Sequence, residues 1–89
     1  EAALEIELGA CGLRVLRQAP LDVHFRGQVI GTFRADLLVE DRLLVELKVA
    51  KALAPIHVAQ VINYLRASRR RVALLVNFGR RVQVRRLAL

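Results

Sequence analysis

Three residues near the middle of the chain have the types and spacing that hydrolytic chemistry needs. Asp36 stands inside the apolar run Ala35-Asp36-Leu37-Leu38-Val39. An acid there is costly unless it is paired or binds a cation; the alternative is that it points to solvent from the edge of its strand. Glu46-Leu47-Lys48 follows in the next extended segment. Side chains two apart on a strand share a face, so Glu46 and Lys48 stand together while Val45, Leu47 and Val49 face the other way. A same-face salt bridge is the plain alternative, although an ornamental ion pair beside Leu44 gains little. If the Glu40-Asp41-Arg42 turn makes the two segments a hairpin, Asp36 and Glu46 come near each other across the ladder. Two neighbouring carboxylates repel unless a cation bridges them. Mg²⁺ or Mn²⁺ suits such a pair, because hard cations take carboxylate and carbonyl oxygens and keep several waters. The backbone carbonyl of Leu47 offers a third ligand, and Lys48 would lie beside the attacking water. Taken alone, Asp…Glu-x-Lys is a weak pattern.

A helix strengthens it. His57, Gln60 and Tyr64 are spaced by three and four, which places them in one polar stripe. Val58, Val61, Ile62 and Leu65 form an apolar stripe beside it, suited to packing on a sheet. Read singly, His57 is a helix-surface residue and Tyr64 a core-rim residue with its hydroxyl in water. Read together, the polar stripe borders the core face instead of lying opposite it.

The elements that must carry these residues follow from local pattern. Residues 2–12 are good helix formers with apolar positions at Ala3, Leu4, Ile6, Leu8 and Cys11, and Gly12 is a plausible stop. Residues 14–18 alternate as a strand, and Pro20 breaks it or sits at a bend. Residues 21–25, 29–39 and 43–49 read as extended, with Arg26-Gly27 and Glu40-Asp41-Arg42 as turns, so 21–49 is an antiparallel meander. Pro55 suits the first turn of a helix running to about Ser68. Val72 to Phe78 is a continuous apolar run, the pattern of a strand buried on both faces. Gly79-Arg80-Arg81 turns, and residues 82–87 alternate as a last strand. The predicted class is α/β (α+β), a central mixed β-sheet flanked by helices in the order α-β-β-β-α-β-β, forming a single domain over 1–89.

Charge is distributed unevenly. Residues 1–46 hold eight acids against five arginines, net −3, whereas residues 47–89 hold two lysines and eight arginines with no acid, net +10. That asymmetry suggests a polyanionic partner, and nucleic acid is the natural one because each neutralised phosphate releases a counterion. A solvated basic rim that keeps the protein soluble is the alternative. The composition is 55% hydrophobic with a mean hydropathy of +0.36. Either the aliphatic core is dense, or apolar surface is covered by a second copy; a homo-oligomer is the expectation. Cys11 is the only cysteine, which excludes an internal disulfide and a cysteine zinc site and makes a reducing, cytoplasmic setting the default. No apolar run is long enough to span a membrane and no signal peptide is visible. The sequence contains no Met, and it opens as if inside a helix, so an upstream piece is expected.

These residues resemble a known family. Asp36…Glu46-Leu47-Lys48 followed by Gln60-Val61-Ile62-Asn63-Tyr64 is similar to the Asp…Glu-x-Lys and Gln-x-x-x-Tyr pattern of the PD-(D/E)XK nuclease superfamily, as in RecB-like exonucleases. Phe33-Arg34-Ala35-Asp36-Leu37-Leu38-Val39-Glu40-Asp41, Val45-Glu46-Leu47-Lys48, His57-Val58-Ala59-Gln60, Asn63-Tyr64-Leu65 and Asn77-Phe78-Gly79 look closer still to its GxxExxY branch. The resemblance covers nearly the whole chain and rests on these strings jointly. The first-helix motif that names the branch is missing here; Glu1 and Glu5 are candidate replacements for a first-helix ligand. Arg69 and Arg81 stand where the branch has turn-forming residues.

The resemblance implies that Asp36 and Glu46 hold the metal, that Lys48 positions or activates the water, and that Gln60 and Tyr64 support the site or contact the substrate strand. His57 matches the branch without an assigned role. The implied function is metal-dependent hydrolysis of nucleic-acid phosphodiesters, with DNA ahead of RNA. Two alternatives remain: a nuclease-like fold that grips nucleic acid without cutting, and a self-assembling scaffold that has lost the chemistry.

Overall fold

The computed structural model describes residues 2–89 and has the element order α1 (Ala2–Ala10), β1 (Val15–Phe25), β2 (Gln28–Val39), β3 (Leu43–Lys48), α2 (Pro55–Ser68), β4 (Val72–Phe78) and β5 (Val82–Ala88). The strands form one sheet in the order β1-β2-β3-β4-β5. Every neighbouring pair is antiparallel except β3 and β4, which α2 connects as a parallel pair. The architecture is α+β, a mixed sheet with two helices in the order α-β-β-β-α-β-β.

Each sheet face has its own apolar cluster. On one, Val61 and Leu65 of α2 pack with Ala19, Leu21, Ala35, Leu38, Leu44, Ala73, Leu75 and Leu87. On the other, Leu37, Val39, Val45 and Val76 are buried beneath Leu4 and Leu8 of α1. Alternation along β3 and β4 feeds both clusters, which is why those segments read as nearly continuous apolar runs. α1 ends in a Schellman arrangement: Gly12 takes φ +83°, its N–H bonds the Gly9 carbonyl, and the Leu13 N–H bonds the Leu8 carbonyl.

The interruption expected at Pro20 does not occur. β1 runs unbroken from Val15 to Phe25, with Pro20 opposite Arg34. β1 is an edge strand, so a residue without an N–H can sit there with no ladder bond lost on the open side. The irregularities lie instead at Gln18, whose φ is +51°, and between Val23 and His24, where the register against β2 shifts. No helix among the described residues is long and apolar enough to cross a membrane.

Candidate active site

The site begins with a change of phase in β2. Phe33, Ala35 and Leu38 all pack on the α2 side, whereas Leu37 and Val39 pack on the α1 side. A regular strand cannot place residues 35 and 38 on one face. The alternation therefore breaks around Asp36, in line with the left-handed Gln18 on the neighbouring strand.

The β2–β3 ladder stops at the same point. Its register pairs Val39 with Leu43, Leu38 with Leu44 and Leu37 with Val45, so the next rung would join Asp36 to Glu46. In place of that rung the two side chains cross the gap. The Leu47 N–H donates to Asp36 Oδ2 at 2.8 Å, and the Asp36 N–H donates to Glu46 Oε1 at 3.4 Å. Meanwhile β3 stays paired with β4 as far as Lys48–Asn77. β2 thus peels away from β3 at a fork, and the two carboxylates stand in it.

Electrostatics make this fork unusual. Glu46 is only 7% exposed. Burial pushes its carboxyl up to about 7, and the Asp36 carboxylate beside it adds to the rise. The Asp36 N–H and the Lys48 ammonium pull the other way. A buried acid raised in this way lacks a positive partner strong enough to hold it ionised.

The donor set fits a small divalent cation. Asp36 and Glu46 supply two carboxylates at the fork. The N–H and C=O of one strand residue open to the same side of the strand, so the Leu47 carbonyl faces the gap together with the N–H that bonds Asp36. Among the described residues no third His, Cys, Asp or Glu joins them. Other coordination positions would fall to water, which Mg²⁺ retains readily. Glu5 is drawn instead toward Arg17, at 3.9 Å, and Glu1 lies outside the described residues.

From the fork a polar chain runs onto α2. Lys48 shares the α2-facing side of β3 with Leu44 and Glu46, and its Nζ donates to Gln60 Oε1 at 3.3 Å. Gln60 Nε2 donates to the Tyr64 hydroxyl at 3.0 Å. The Tyr64 ring stacks on Phe33, with centroids 4.3 Å apart and 14° between planes. Lys48, Gln60 and Tyr64 therefore form one hydrogen-bonded chain beside the Asp36–Glu46 pair, and the Lys48 charge is felt by Glu46. His57 is differently employed: its Nδ1 accepts the Ala54 N–H at 3.0 Å, which caps the first turn of α2.

Sequence reasoning named Asn77 only within the Asn77-Phe78-Gly79 string and gave it no role, yet it ties down the loop after Lys48. Asn77 is fully buried in β4. Its Oδ1 accepts the Ala50 N–H at 2.9 Å and its Nδ2 donates to the Ala50 carbonyl at 3.0 Å. Nδ2 also reaches Gln83 Oε1 at 3.3 Å, and that oxygen accepts the Leu53 N–H at 3.2 Å. A Cβ on Gly79 would collide with the Ala50 carbonyl oxygen, so only glycine lets the two backbones approach. The signal was present as a polar residue inside an apolar run, two places before a glycine.

The sequence pattern of the PD-(D/E)XK nuclease superfamily matches residues 1–87. No curated protein matches the chain significantly. Among solved structures, the crystal structure of SSO0001 is similar with a TM-score of 0.70 and 18% sequence identity, over 98% of this chain and 48% of that one. The chain thus spans about half the length of that relative, and the likeness is one of fold.

Proposed function

The chain belongs to the PD-(D/E)XK nuclease superfamily, and from that premise we propose that it hydrolyses nucleic-acid phosphodiesters with the help of Mg²⁺ or Mn²⁺ at Asp36 and Glu46. The observation that carries the reading is the fork itself. Two carboxylates replace a rung of the ladder, and one of them is buried, raised to about 7 and short of positive charge. Asp36, Glu46 and the Leu47 carbonyl would hold the ion. When bound, a divalent cation lowers the pKa of water and offsets charge that builds on phosphate oxygens.

The chain's own groups would do the rest. Lys48 presents an ammonium where negative charge develops. Gln60 holds that ammonium at a fixed place, and Tyr64 holds Gln60. Cations at the carboxyl ends of β3 and β4, Arg80 among them, would grip backbone phosphates without reading bases. Within the superfamily we place the chain nearest the GxxExxY branch, on the strings around Asp36, Glu46, Gln60 and Asn77, in a reducing, cytoplasmic setting. DNA is the first substrate to try.

The test is incubation with single- and double-stranded DNA and RNA in Mg²⁺ or Mn²⁺, with and without EDTA. Cleavage is expected only with metal; cleavage retained by Glu46→Ala or Lys48→Ala would falsify the assignment. A second reading, a scaffold that keeps the fold without the chemistry, is favoured by the missing third acidic ligand among the described residues. It also accommodates the exposed Ile6, Val29, Ile30 and Val84, which a second copy would cover. It requires no metal binding and a light-scattering mass above one chain.

A further inference from the structure

A groove of about 770 Å³ opens at the carboxyl ends of the parallel strands β3 and β4, lined by Val49, Ala50, Lys51, Phe78, Gly79 and Arg80. Crevices outside the carboxyl ends of parallel strands are where open α/β sheets bind ligands. This one begins one residue past Lys48, and its apolar lining, Val49 and Phe78, continues the α1-facing side of β3 and β4, opposite the side that carries Glu46 and Lys48.

Its chemistry is specific. The Asn77 amide pins Ala50 from below, and Gly79 lets the Ala50 carbonyl approach, so the floor is preorganised backbone. Lys51 and Arg80 stand on its walls. The ion pairs among the described residues go to Arg14, Arg17 and Arg70, and leave both of these cations without an acid. Phe78 lines the groove with them, an aromatic residue 43% exposed at the end of a strand whose other apolar residues are largely covered, and it also borders Ala3, Leu4 and Glu7 of α1. Cations spaced around an exposed aromatic are the pattern of single-stranded nucleic-acid binding: phosphates meet the charges and an unpaired base lies on the ring. A duplex offers backbone to the cations and no free base face to Phe78.

We infer that this groove binds an unpaired segment of a polynucleotide, with Lys51 and Arg80 on phosphates and Phe78 against a base. The inference rests on the reading of Asp36 and Glu46 as a phosphodiesterase site, which makes a polynucleotide the ligand. It makes the substrate single-stranded, or a duplex with an unpaired end.

The test is fluorescence anisotropy in EDTA, where nothing is cut. The probes are a 15-nucleotide oligo-dT, the matching oligo-rU and a 15-base-pair duplex. Oligo-dT is expected to bind at least about tenfold more tightly than the duplex. Phe78→Ala should weaken oligo-dT about tenfold, within the range for one stacked base, and leave the duplex within about twofold. Phe78→Tyr should retain binding, which separates stacking from a folding defect. Lys51→Ala with Arg80→Ala should flatten the slope of log K against log salt by roughly 1.4, the value for two phosphate contacts on a single strand.

Arg42→Ala with Arg71→Ala is the charge-matched control, since those residues lie at the amino ends of β3 and β4. Equal losses in the two double variants, or no effect of Phe78→Ala on oligo-dT, overturns the inference. Oligo-rU bound as tightly as oligo-dT supports a shared single-strand mode; rU bound more tightly by tenfold supports the groove with RNA as its ligand. Groove-dependent binding without any metal-dependent cleavage leaves this inference standing and removes the hydrolytic reading alone.

Discussion

Asn77 pairs with Ala50 as one strand pairs with another, its side-chain amide both accepting from the Ala50 N–H and donating to the Ala50 carbonyl, at 2.9 and 3.0 Å. The two residues are 27 positions apart, and their contact closes the loop that leads from Lys48 to α2. Asn77→Ala strands two polar backbone groups, each costing about 1–3 kcal/mol if buried. Stability by urea unfolding is expected to fall by roughly 2–4 kcal/mol. Asn77→Asp should cost at least as much, because its second oxygen would face the Ala50 carbonyl and Gln83 Oε1. Gly79→Ala should also destabilise, by about 1–3 kcal/mol, as the Ala50 carbonyl must move aside. A loss below 0.5 kcal/mol in all three would sink the clamp.

Glu46 gives a pH dependence of definite sign. Its carboxyl is raised from 4.5 to about 7 in the fold. Between those values the folded protein keeps a proton that the unfolded chain has released. Stability in EDTA therefore falls as pH rises from about 4.5 to 7, by up to about 3 kcal/mol for such a shift. Glu46→Gln should remove the slope and be the more stable protein at pH 7.5, since its amide oxygen can still accept from the Asp36 N–H. Millimolar Mg²⁺ should raise the Tm of the parent at pH 7.5 and leave that of Glu46→Gln nearly unchanged. A parent protein whose stability rises over this window contradicts the assignment.

The Lys48–Gln60–Tyr64 chain predicts a graded series in the cleavage assay. Lys48→Ala removes charge at the reacting phosphate and should cost about 10²–10³ in kcat, the scale for one electrostatic stabiliser. Gln60→Ala leaves the ammonium in place but unheld, and a loss near tenfold is expected. Tyr64→Phe keeps the ring on Phe33 and loses only the acceptor for Gln60 Nε2, so Tm should hold while kcat drops severalfold. Tyr64→Ala additionally loses the stacked pair, worth roughly 0.5–1.5 kcal/mol beyond burial. Tyr64→Phe as damaging as Lys48→Ala would place the tyrosine hydroxyl on the substrate instead.

Much of this arrangement was legible in the sequence, and the exceptions share a cause. Period-two patterning and one short turn sufficed to bring Asp36 opposite Glu46, because hairpin register follows from local geometry. Spacings of four sufficed to join Gln60 to Tyr64. The phase break was not legible, since Gln18 adopts φ +51° where residue type gives no hint. Pro20 misled because a strand's place at the sheet edge is a tertiary fact. The Asn77 clamp and the turn of His57 toward Ala54 depend on contacts that spacing does not encode.

Arg69 stands at a position that favours glycine. It follows α2 with φ +59° and ψ +26°, its N–H bonds the Arg66 carbonyl, and the Arg70 N–H bonds the Leu65 carbonyl. This is the left-handed residue that closes a helix, where a side chain costs about 1 kcal/mol or more and glycine costs nothing. Arg81, also expected at a turn, has no positive φ. Arg69→Gly should therefore raise stability by about 1 kcal/mol in urea unfolding, offset slightly by the greater freedom of glycine in the unfolded chain. Arg81→Gly should lower it by a few tenths to 1 kcal/mol. Arg69 lies at the amino end of β4, away from Lys51 and Arg80, so oligo-dT binding in Arg69→Gly should stay within about twofold of the parent, the change for one peripheral charge. If Arg69→Gly destabilises, the left-handed closure of α2 is wrong, and with it the way the chain turns from α2 into β4.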